Sequence, residues 1–137
     1  MSQQSLAQRR AKHALDEING LKEKQYGNYI SYVKSLGPTV IMNGLGQAAA
    51  TLRASAKGKN DDPHEILYQH LSRWLCGGDE DSPYLQGDLL EKITTTDENC
   101  YLRAQAEALA YLEWLKKFAN AFLEKGGQTN ASAASAL

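Results

Sequence analysis

Residues 98–125 read ENCYLRAQAEALAYLEWLKKFANAFLEK, and this stretch decides the fold. Tyr101, Ala104, Ala108, Leu112, Leu115, Ala119 and Phe122 recur at three- and four-residue steps and make one stripe along a helix. Leu109, Tyr111, Phe118 and Leu123 widen it, and Gly126-Gly127 ends the helix. Strand signals are nearly absent elsewhere, whereas the same helical periodicity appears in every long segment.

Upstream, residues 5–25 place Ala7, Ala11, Ala14, Ile18 and Leu21 on one face, widened by Leu15, with Arg9, Lys12, Asp16 and Glu23 opposite. A second helix is expected from Tyr26 to Leu36, stopped by Gly37-Pro38. A third, over 38–57, buries Ile41, Leu45, Ala48 and Leu52. Asp62-Pro63 reads as the cap and first turn of a fourth helix reaching Leu75. Residues 76–83 form the clearest loop, and a shorter helix over 83–93 precedes the long one. The expectation is an all-α, single-domain bundle of five to six helices over residues 1–125, with 126–137 as a flexible Ala/Ser-rich tail.

Composition agrees with a globular chain: of 137 residues, 42% are hydrophobic and 23% charged. A chain of this size buries about two thirds of its extended surface and needs neither disulfide nor metal. No apolar run approaches a membrane span, and the amino terminus lacks the pattern of a signal peptide. The expected location is cytoplasmic, with Cys76 and Cys100 as free thiols.

Charge is segregated along the chain. Residues 1–60 carry nine Lys or Arg against three acids, whereas residues 61–100 carry ten acids against Arg73 and Lys92. A basic part can steer towards phosphate, and an acidic part can meet a basic protein or another copy of the chain. Alternatively, the two stretches lie side by side and neutralise each other.

No catalytic constellation emerges. His64-Glu65 begins like a zinc-protease motif, but Tyr68 stands where the second histidine belongs. Gly44-Leu45-Gly46 lies in a helical stretch and follows no strand, so it is not a phosphate loop. The acids at 61–62 and 79–81 sit in turns beside Gly and Pro, where capping explains them better than proton transfer. No cofactor or metal is expected.

Two faces exceed what a plain bundle requires. Asn43, Gly46, Ala50, Arg53 and Lys57 follow one another at steps of three and four. Glycine inside a helix costs about 1 kcal/mol relative to alanine, a penalty more tolerable where another backbone must approach. Helix packing within the bundle accounts for the same pattern. On the last helix, Arg103, Glu107 and Trp114 fall on a flank beside the apolar stripe. Tyr26, Tyr29 and Tyr32 lie near Lys24 and Lys34, a mixture suited to base stacking as well as to half-burial.

The stretches YISYVKSLGPTVIMNGLGQ (29–47) and YLRAQAEALAYLEWLKKFA (101–119) together resemble the small all-helical subunit of the type III-B CRISPR Cmr effector complex. That resemblance implies a non-catalytic structural subunit. Copies of it stack beside a filament of backbone subunits that hold the guide RNA, and they help line the channel for target RNA. Cleavage belongs to the backbone subunit, and the large subunit carries a separate activity. The implied partners are the backbone and large subunits, neighbouring copies and the guide–target duplex.

Within that reading, Arg9, Lys12, Arg53 and Lys57, followed by Lys34 and Lys59, are the expected phosphate contacts. Asn43, Gly44 and Gly46 are expected at a close approach by RNA or a neighbouring subunit, and Arg103 and Trp114 at a partner contact. The rival readings are a helical adaptor that never meets nucleic acid and a metal-dependent nuclease using the acidic loops.

Overall fold

A computed structural model describes residues 3–21 and 27–123 of the chain. Lys22, Glu23, Lys24, Tyr26 and the expected tail at 126–137 lie outside these described residues. Among the described residues six helices account for the architecture: α1 (Leu6–Asn19), α2 (Gly27–Asn43), α3 (Leu45–Ala56), α4 (Pro63–Leu75), α5 (Leu89–Thr95) and α6 (Glu98–Phe122). No strand occurs among the described residues. The all-α bundle expected from periodicity is the observed fold.

Local chemistry sets most of the helix starts. Ser5 and Gln8 form a reciprocal capping box on α1. Asp62, Asp88 and Asp97 each place a carboxylate on a free N–H of the first turn of α4, α5 and α6. The fifth helix begins at Leu89, not at 83 as the sequence reading placed it. Asp88 followed by Glu91 marks its start, and residues 83–88 are bends and irregular backbone.

The α2–α3 boundary corrects the sequence reading. Gly37-Pro38 does not end a helix: α2 continues through Pro38 to Asn43. Pro38 and Lys34 are both exposed, so the backbone hydrogen bond that proline forfeits lies on the solvent side. The break falls instead at Gly44, with φ +89°, a conformation that L side chains rarely adopt. That break also changes the helical phase. Val40 is buried, while Ile41, expected in the core with Leu45, Ala48 and Leu52, is 69% exposed.

Side-chain pairs fix the packing directions. Arg10 meets Glu107 and His13 meets Tyr111, so α1 and α6 run parallel. Arg9 meets Asp79 just beyond α4, and Glu17 meets Arg73, so α1 and α4 run antiparallel. Helix α2 also runs antiparallel to α6: Gly44 lies against Tyr101, and Lys34 shares a groove with Lys116. One continuous apolar cluster joins these helices, with Ile18, Tyr29, Leu67, Leu71, Tyr111 and Leu115 buried at its centre.

Candidate nucleic-acid interface

The segregated charge of the sequence is partly closed up by the fold. Arg9 donates to Asp79 from Nε at 3.0 Å and also bonds Asp81, and its remaining nitrogen donates to the Gln4 carbonyl. The guanidinium holds the Asp79 carboxyl below the usual carboxylate range, chiefly through that hydrogen bond. Arg53 grips Glu65 with two bonds of 3.0 Å, lies 4.1 Å above the Tyr68 ring and faces Asp88 at 3.7 Å. Both pairs join the basic stretch to the acidic one. Lys12 pairs with Asp16 one turn along α1. A phosphate approaching Arg9 or Arg53 must compete with carboxylates already in place.

Lys34, Lys57 and Lys59 are exposed and form no ion pair among the described residues. Lys57 caps α3 in the left-handed conformation, φ 53°, and Gly58 follows at φ +77°. This tight turn places two lysines beside the start of α4.

Asn43 is exposed at the end of α2, whereas Gly44 and Gly46 face α6 of their own chain. The Leu45 N–H donates to Gln105 Oε1 at 2.9 Å, and the Gly46 N–H donates to the Tyr101 hydroxyl oxygen at 3.0 Å. These side chains satisfy N–H groups that the start of α3 would otherwise leave open. A Cβ on Gly44 would lie 3.0 Å from the Tyr101 oxygen, while one on Gly46 would make only ordinary contacts of 3.5 Å or more. Packing within the bundle therefore accounts for the close approach at Gly44.

Arg103 is exposed with no ion pair among the described residues. Trp114 is half-buried, packed on the core and stacked on Phe118 with centroids 5.5 Å apart. Of the three tyrosines near the basic residues, Tyr29 is buried and bonds His70 Nδ1 at 2.6 Å, which removes it from any base-stacking surface. Tyr32 stacks on His64 at 3.8 Å.

A polar network that no sequence pattern signals runs through the α1–α4–α6 interface. Glu107 accepts from Arg10 at 2.9 Å and from the Trp74 indole N–H at 2.8 Å. His13 bonds the Tyr111 hydroxyl at 2.7 Å, and Glu17 accepts two bonds from Arg73. Burial pushes His70 down to about 4 and lowers His13 as well, so both rings are neutral at pH 7. Their members lie 33 to 98 residues apart in pairs such as Trp74–Glu107 and His13–Tyr111, beyond the reach of local spacing.

Cys76 is buried, its thiol pushed up to about 11 chiefly by that burial, which leaves little thiolate at neutral pH. No group of three or more His, Cys, Asp or Glu is gathered to hold a metal ion among the described residues. None of their helices is long and apolar enough to cross a membrane.

The class is thus a single-domain all-α bundle, its cations split among the described residues between those held by carboxylates, such as Arg9, Arg53 and Lys12, and open ones, such as Lys34, Lys57 and Arg103. The chain belongs to the CRISPR-associated protein family Cas_Cmr5, whose sequence model matches residues 6–122. It is similar to the CRISPR system Cmr subunit Cmr5 of Thermotoga maritima (strain ATCC 43589 / DSM 3109 / JCM 10099 / NBRC 100826 / MSB8). The two are 26% identical over 133 residues, covering 95% of this chain and 92% of that protein.

Proposed function

We propose that this chain is the small, non-catalytic structural subunit of a type III-B Cmr effector complex. It stacks on neighbouring copies beside the guide-holding backbone filament, meets the large subunit, and helps line the channel where target RNA pairs with the guide. The complex works in the cytoplasm. The observation that carries the reading is the family match from residue 6 to 122, which spans all six helices. Phosphate contact falls mainly on Lys34, Lys57 and Lys59, which form no ion pair among the described residues. Arg9 and Arg53 act chiefly in joining the two charged stretches and Lys12 pairs along α1 with Asp16, with their partly exposed edges turned to the channel.

Reconstituting the complex with and without this subunit tests the reading. With it, target RNA binds more tightly and with a steeper dependence on salt, because added phosphate contacts release more counterions. An identical salt slope contradicts channel lining. It favours instead an adaptor that meets only protein, a reading supported by the arginine–carboxylate pairs and by exposed Ile41, Met42 and Leu85. RNA cleavage by the purified chain with Mn²⁺ or Mg²⁺ would contradict the non-catalytic role.

A further inference from the structure

We propose that the small groove between α2, α3 and the start of α4 seats a ribose of the bound RNA and reads its 2′-hydroxyl. This rests on the reading of the chain as a channel-lining subunit and assigns a chemical preference to one part of its surface. The groove has a volume of about 150 Å³. That is well below the ~300–1,000 Å³ of pockets that enclose a drug-sized ligand, so it takes one small ring rather than a nucleotide.

Its lining suits a sugar. Leu36, Ala48 and Leu52 supply apolar surface for a C–H face, and Tyr32, stacked on His64, closes one end. Four hydroxyls stand along the walls: Ser35 and Thr39 from α2, Thr51 and Ser55 from α3. Each pair is spaced by four residues, which keeps it on one helical face.

The two pairs differ chemically. Ser35 donates to the Tyr32 carbonyl at 3.2 Å and Thr39 to the Ser35 carbonyl at 2.9 Å, so both protons are taken and their oxygens remain as acceptors. The Thr51 and Ser55 hydroxyls have no hydrogen-bond partner among the described residues and can donate as well as accept. A hydroxyl ligand that both donates and accepts matches this asymmetry, and the 2′-hydroxyl is the group that separates RNA from DNA.

Positive charge stands in the turn that ends α3, where a phosphate joined to the sugar can reach it. Lys57 and Lys59 are exposed there and lie outside the groove's own lining. Nearby Asp62 is engaged by the His64 backbone N–H and imidazole, each at 2.8 Å, while Asp61 stays in solvent.

The test uses the assembled complex carrying either the native subunit or a Thr51→Val/Ser55→Ala variant. Affinity is measured for a ribo target strand and for the same strand with 2′-deoxy sugars. Guide pairing contributes equally to both complexes and cancels when their ribo-to-deoxy preferences are compared. The variant is expected to lower that preference about threefold to tenfold, the effect of losing one or two modest hydrogen bonds, with deoxy affinity unchanged. A Thr51→Ser/Ser55→Thr variant keeps the hydroxyls and is expected to keep the preference, which excludes a folding effect. An unaltered preference in the Val/Ala variant overturns the ribose assignment. A Lys57→Ala/Lys59→Ala variant separates the two levels. Equal weakening of both strands with the preference unmoved leaves channel lining standing without the ribose site, and no change in any variant removes both.

Discussion

The Tyr101 hydroxyl oxygen accepts the Gly46 backbone N–H at 3.0 Å, and a Cβ on Gly44 would lie equally close to the same oxygen. One side chain of α6 thereby caps α3 and crowds any larger residue at the α2–α3 break.

The two glycines are therefore expected to respond differently to alanine. Gly44→Ala forces a side chain into φ +89° and against Tyr101, and is expected to destabilise the fold by about 1–3 kcal/mol. Gly46→Ala meets only van der Waals neighbours and gains helix propensity, so it is expected to leave stability unchanged or raise it by up to about 1 kcal/mol. Urea denaturation of the two variants checks this. Equal losses would show that the close approach was misplaced.

Acid stability follows from His70, which is 2% exposed and held neutral by burial at about 4, against about 6.5 in an unfolded chain. Below pH 6.5 the unfolded state takes up a proton that the folded state refuses. Stability is thus complete above pH 6.5 and falls until about pH 4, by roughly 3 kcal/mol in order of magnitude. His13 contributes in the same direction. Denaturation midpoints measured from pH 7.5 to 4.5 should decline, and a His70→Gln variant should flatten the curve. A native curve that does not fall between pH 6.5 and 4.5 would exclude a buried neutral imidazole.

Glu107 serves Arg10 and the Trp74 indole at once, with 11% of its side chain exposed. Glu107→Ala leaves both donors without their acceptor and is expected to cost about 2–4 kcal/mol, whereas Glu107→Gln retains an acceptor oxygen and costs less. Thermal melts with indole fluorescence check the order. An alanine variant no weaker than the glutamine one would contradict it.

The cations divide by partner. Arg53→Glu sets a carboxylate against Glu65 and Asp88 and removes the cation from the Tyr68 face, so its main effect is loss of melting temperature. Lys57→Glu/Lys59→Glu should lower the melt far less than Arg53→Glu and weaken target RNA in the complex, with a salt slope shallower by about 1.4 for two lost phosphate contacts. The reverse pattern would move the RNA surface onto the arginines.

Much of the fold was legible because it is written locally. The periodicity of α6 and the Asp62-Pro63 start of α4 depend on spacing and capping alone. The α2–α3 break was misplaced because Pro38 carries the stronger local stop signal. Its cost is tolerable on an exposed face, whereas the actual break at Gly44 is supported by Gln105 and Tyr101 from a helix more than fifty residues away. The candidate surface was legible only as a set of cations. Which of them meet carboxylates depends on α1 packing against the loop after α4 and on α3 packing against α4, neither of which a linear reading supplies. The hydroxyl pairs of α2 and α3 have a visible four-residue spacing, but only packing brings them to one groove.

Purification of the tagged full-length chain from its native host, followed by identification of everything retained in moderate salt, tests the central claim most directly. The account predicts several larger protein subunits together with a small guide RNA. Recovery of the chain alone, or with protein partners and no RNA, would contradict it.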